Sequence, residues 1–100
     1  MNSSENVTMP EIIEEQIELL EKSDNIYSHK VILFNDDYNT FDHVEDCLVR
    51  ICYMSLRKAK EVAMEAHTKG KAVCYSGSIE ECETVAEKLA SENLTVTVAN

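Results

Sequence analysis

Val31-Ile32-Leu33-Phe34-Asn35-Asp36-Asp37 runs four apolar residues straight into an amide and two carboxylates. From His29 to Asn35 the composition is β-branched and apolar, as a sheet strand requires. Its far end gathers hydrogen-bond acceptors at one mouth. Side chains two apart on an extended strand point the same way, so Asn35 and Asp37 are expected to share a face, with Asp36 turned away or placed at the rim. An ammonium group offers three N–H donors and is satisfied by three acceptors. His67, at the end of the second helix that follows, is the candidate for the third. Asn and Asp also favour turns on their own account, and a histidine at a helix end complements the dipole there. At this level a turn and an amine site both account for the residues.

The rest of the chain supplies the scaffold. Thr40 is placed to cap a helix with Asp42 in its first turn, and Phe41, Val44, Leu48, Ile51 and Cys52 recur at helical spacing. Ser55 caps a second helix, with Ala59, Val62, Ala63, Ala66 and His67 on one side and Gly70 closing it. Ala72 to Tyr75 reads as a short strand and Gly77 as a turn. Ser78-x-x-Glu81 is a capping box for a helix reaching Asn93, with Ile79, Cys82, Val85, Ala86 and Leu89 on its apolar side. Leu94 to Val98 alternates with period two, the pattern of a half-buried strand. The order β-α-α-β-α-β predicts an α+β fold, a three-stranded antiparallel sheet packed with three helices, the middle pair of helices covering one face.

One hundred residues suit a single domain. Residues 1–25 hold seven acidic groups against one lysine, within a net charge of −10 for the chain. They read as a flexible acidic extension, conditionally helical from Pro10 to Lys22, where Ile12, Ile13, Ile17, Leu19 and Leu20 cover half a helical circumference. The folded domain is expected over 26–100. Scattered basic residues argue against nucleic-acid binding. No apolar stretch approaches the roughly 18–20 residues of a membrane span, and Met1 to Glu5 lacks the basic and apolar regions of a secretory signal, so a cytoplasmic monomer is expected.

Cys47, Cys52, Cys74 and Cys82 form no C-x-x-C pair and read as small buried apolar groups. A redox role, or a zinc site built from them with His43 or His67, is the alternative, since thiolate and imidazole are zinc's usual ligands. The cysteine spacings of five, twenty-two and eight match no common finger, and no metal or other cofactor is expected. Nor is there a nucleophile elbow, a phosphate loop or a paired general acid and base, so the chain does not read as an enzyme.

The pattern Lys30-Val31-Ile32-Leu33-Phe34-Asn35-Asp36-Asp37-Tyr38, then Ala66-His67-x-x-Gly70-Lys71-Ala72-Val73-Cys74, then Glu83-Thr84, resembles ClpS, the adaptor of the Clp protease, over about residues 29–98. The resemblance implies a non-enzymatic adaptor that holds proteins by an N-degron, here N-terminal Leu, Phe, Tyr or Trp. Such an adaptor passes its cargo to a ring-shaped Clp-type AAA+ unfoldase, with the N-terminal extension needed for delivery. It places the α-amino contacts on Asn35, Asp37 and His67, with Asp36 beside them, and the side-chain pocket on Asn39, Phe41, Val44, Ala66 and Leu94. Unfoldase docking falls on Glu80, while the family's basic docking position falls on Val85. Relatives usually carry Thr, Pro and Met where this chain has Asn39, Thr40 and Phe41. Phenylalanine is stiffer than a thioether chain, so a narrowed or tilted pocket is expected, and with it the alternative of a ClpS-like interaction module with altered ligand specificity.

Overall fold

β1 (His29–Phe34) takes the centre of a three-stranded sheet between β2 (Lys71–Gly77) and β3 (Val96–Ala99), antiparallel to both. This computed structural model describes residues 29–100. In chain order the elements are β1, α1 (Phe41–Cys52), α2 (Leu56–Lys69), β2, α3 (Ile79–Ser91) and β3, the expected α+β arrangement. The helix expected over Pro10 to Lys22 and the domain boundary near Ile26 lie outside the described residues. Among those described, no helix is long and apolar enough to cross a membrane.

The strand order β2-β1-β3 decides how the helices lie. β2 and β3 sit on opposite edges, so the chain between them must cross over β1, and α3 accordingly touches all three strands. This corrects the expectation that the pair preceding β2 would cover the face. α2 packs along β2 and reaches β1, whereas α1 rests chiefly on α2 and meets the sheet at β2 alone. Leu48, Leu89, Val31, Cys47 and Cys82 are the largest side chains wholly removed from water, and all four cysteines are free and buried, as expected. Glu45 is also buried, and its carboxylate meets Lys60 Nζ at 3.1 Å, tying α1 to α2.

All three strands differ at their ends from the sequence reading, and β1 stops at Phe34, one residue short of Asn35. β2 extends to Gly77, which pairs with His29, and the ladder steps from Val31↔Tyr75 to Ile32↔Val73, leaving Cys74 as the extra residue of a bulge. β3 begins later than Leu94 because the end of α3 claims that residue. Asn93 takes a left-handed φ of 71°, and the Leu94 N–H donates to the Leu89 carbonyl at 3.1 Å.

The helix starts behave as their residue types dictate. Thr40, Ser55 and Ser78 each accept from a backbone N–H three residues on, and Ser78 with Glu81 forms the full capping box. Gly77 leaves room for that box, since a Cβ there would run into the Glu81 carboxylate and push that side chain aside. Ser78→Ala is expected to lower stability by about 1 kcal/mol in urea unfolding, because it leaves the Glu81 N–H without its cap.

Candidate functional site

The end of β1 is clipped to the end of α2. Beyond the last β1–β2 pair, Phe34↔Lys71, the Asn35 N–H donates to the Gly70 carbonyl at 3.0 Å. Gly70 adopts a φ of 92° and returns its own N–H to the Ala66 carbonyl, closing the helix within a turn of His67. On the other side the Phe34 N–H donates to the Thr95 carbonyl at 2.9 Å. The strand mouth and the imidazole are thus brought together by backbone hydrogen bonds rather than by loop contacts.

Between them lies a pocket of about 260 Å³ lined by Asn35, Asp36, Asp37 and Asn39 on one side, and by His67, Phe41, Val44 and Ala66 on the other. Leu33, Phe34 and Ala63 complete the wall. The volume falls below the roughly 300–1,000 Å³ of drug-sized ligand sites, a fit for one side chain and one amine rather than for a long peptide. Ala63 and Ala66 create the hollow: both are buried on α2, and neither has the side chain to fill it.

Of the acidic pair, the two carboxylates have opposite surroundings. Asp36 accepts from the Tyr38 N–H at 3.0 Å, the Asn39 N–H at 2.9 Å, Asn39 Nδ2 at 2.9 Å and the Thr95 hydroxyl at 3.3 Å. Burial pushes its carboxyl up, but these four donors outweigh burial and hold it below the ordinary carboxylate value. Its oxygens already accept from the loop, while Asp36 still lines the pocket beside Asn35 and Asp37. Among the described residues no partner occupies the Asp37 carboxylate or the Asn35 amide, and both are exposed at the mouth.

Asn39 is likewise a strut, since its Nδ2 donates to Asp36 and to the Asn93 carbonyl at 2.9 Å, leaving its own carbonyl oxygen for the pocket. Phe41 is 42% exposed and stands edge-on to His67, with ring centroids 5.2 Å apart at 70°. It therefore guards the rim beside the imidazole. Leu94, expected in the pocket, is instead buried in the core and does not line it.

A family model described as "ATP-dependent Clp protease adaptor protein ClpS" matches residues 24–97. The chain belongs to the ClpS family. It is 41% identical over 68 residues to the ATP-dependent Clp protease adapter protein ClpS of Synechocystis sp., spanning 67% of this chain and 69% of that protein. With the ClpS of Thermosynechococcus vestitus it shares 39% identity over 70 residues, covering 69% and 74%. The solved structure of Agrobacterium tumefaciens ClpS2 bound to L-phenylalaninamide matches it with a TM-score of 0.66 at 32% identity, covering 71% of this chain and 93% of that one. ClpS proteins are adaptors of the Clp protease, and the resemblance read from the sequence holds.

Three wall residues escaped the sequence reading. Ala63 had a usable signal, its place one turn before Ala66 on the same face of α2. Leu33 and Phe34 had none, because their contribution arises where β1 ends, and strand alternation assigns them to opposite faces.

Proposed function

We propose that this ClpS-family chain binds the free α-amino group and bulky hydrophobic side chain of proteins with N-terminal Leu, Phe, Tyr or Trp. It delivers them to a Clp-type AAA+ unfoldase in the cytoplasm and performs no chemistry of its own. The observation that carries this reading is one pocket in which Asn35, Asp37 and His67 border an apolar hollow. The ligand of Agrobacterium tumefaciens ClpS2, L-phenylalaninamide, has the same two parts, a free amine and an aromatic side chain. Charge-assisted hydrogen bonds contribute roughly 1.5–3 kcal/mol each and a buried Leu or Phe about as much, so after ordering costs a complex near −8 kcal/mol, or micromolar, is expected.

The test is a set of peptides differing only in the first residue, measured by fluorescence anisotropy. Leu, Phe, Tyr and Trp are expected to bind at least about tenfold tighter than Val, Ala or Glu. Uniform binding across the set would overturn the reading. Phe41 at the rim against His67 favours a second reading, a ClpS-like module with shifted preference, and a set dominated by some other first residue would establish that one.

Delivery has its own surface. Val85, at the family's basic docking position, is buried and uncharged. Lys88, one turn further along α3, shares a shallow depression with Glu80, Tyr53 and Tyr75, and supplies the missing positive charge there. Lys88→Glu, like removal of residues 1–25, is expected to leave peptide affinity unchanged while halting degradation of an N-degron substrate by the unfoldase and its protease. Lost peptide affinity in either variant would break this division of labour.

A further inference from the structure

We propose that His43, Cys47 and Glu92 form a site for a thiophilic divalent cation such as Zn²⁺, fastening the first turns of α1 to the end of α3. His43 and Cys47 lie one turn apart on α1, and Glu92 is the residue that ends α3. One ligand atom from each lies within 4.8 Å of the others, and among the described residues this is the one such group of three. His43 Nε2 and Cys47 Sγ are 3.7 Å apart. On a tetrahedral zinc, with Zn–N near 2.0–2.1 Å and Zn–S near 2.3 Å, those two atoms sit about 3.5 Å apart, so α1 already holds them at close to ligand separation. A thiolate, an imidazole and a carboxylate make a three-ligand set, with the fourth position left to water.

Arg50 sets a positive charge beside two of these ligands. Its guanidinium is 3.7 Å from Cys47 Sγ and 3.8 Å from Glu92 Oε1. It is about half exposed and bonded to Asp46 at 2.8 Å, so it can withdraw to that carboxylate when a metal enters. When a metal enters, the Cys47 S–H bond breaks, its proton leaves to solvent, and the sulfur bonds the metal. His43 Nε2, which meets the Glu92 carbonyl at 2.9 Å, gives up that contact and takes the tautomer with its proton on Nδ1.

The sequence reading held a zinc site with His43 or His67 as an alternative and set it aside on the cysteine-to-cysteine spacings; His43-x-x-x-Cys47 is a pair whose spacing puts both side chains on one helical face. The site braces the peptide pocket from behind, since Asn93, next to Glu92, accepts from the pocket residue Asn39.

The test uses the full chain, reduced and stripped of metal, titrated with Zn²⁺ by calorimetry and with Co²⁺ by absorption. One equivalent is expected to bind with a thiolate-to-cobalt charge-transfer band, and Zn²⁺ is expected to raise the thermal midpoint. Glu92→Gln, half-exposed at a helix end and so the gentlest change, should weaken binding at least about tenfold and cancel the thermal shift. Arg50→Gln should tighten binding by removing the competing charge, and Cys82→Ala should leave it unchanged. No charge-transfer band, undiminished binding in Glu92→Gln, or loss of binding in Cys82→Ala would each overturn the site.

Discussion

A peptide beginning with phenylalanine is expected to lose at least about a hundredfold in affinity once its α-amine is acetylated, a loss near 2.7 kcal/mol. Acetylation removes the positive charge and two of three N–H donors. The Asp37 carboxylate and Asn35 amide, without partners among the described residues, then have no cation to accept from. Each lost charge-assisted bond removes roughly 1.5–3 kcal/mol, so even the lower bound for two bonds exceeds the stated loss. The side chain entering between Ala63, Ala66 and Val44 retains at most about 1.5–3 kcal/mol, too little to sustain a complex once association costs are met. Fluorescence anisotropy with a label at the peptide's C-terminus measures both forms. Equal affinity for the acetylated peptide would remove Asn35, Asp37 and His67 from the function assigned to them.

The residues that were legible in the sequence are those whose role is set by local geometry. Thr40, Ser55 and Ser78 cap helices because a short oxygen-bearing side chain in an extended conformation reaches the N–H three residues on. Asn35 and Asp37 line one pocket, but β1 stops at Phe34 and Asp36 lines it too, so their meeting comes from the loop that follows the strand and not from strand alternation. What the sequence withheld depends on which strand lies next to which. The order β2-β1-β3 appears in no local pattern, yet it sends α3 over the whole sheet and draws Leu94 into the core. The hydrogen bonds that Asp36 accepts were hidden for a related reason. Its partner Thr95 lies fifty-nine residues away, and one acidic residue looks like the next until the donors around it are known. Glu45 was invisible because only the packing of α1 on α2 buries it beside Lys60.

Asp36→Ala and Asp37→Ala are expected to give opposite phenotypes although the residues adjoin. Asp36 receives two backbone N–H groups, the Asn39 amide and the Thr95 hydroxyl. Removing it strands donors that shape the loop between β1 and α1. Because several are reached by water, the expected loss is about 1–3 kcal/mol rather than the full sum of four bonds. Peptide binding falls with it, since Asn39 and Asp37 lose their fixed positions. Asp37→Ala removes no bond among the described residues, so stability should change by less than about 0.5 kcal/mol while peptide affinity drops at least about tenfold. Urea unfolding and anisotropy on both variants separate the two roles, and a destabilised Asp37→Ala beside a stable Asp36→Ala would reverse them. Acid adds a further signature. Because the folded Asp36 carboxyl is held below its ordinary value, its stabilisation is complete above the unfolded value of about 3.9 and is lost as pH falls through the lower folded one. The native protein should therefore exceed Asp36→Asn in stability at pH 7, and the gap should close as pH falls through the lowered folded value, where the native carboxyl takes up its proton and the two side chains become alike in charge.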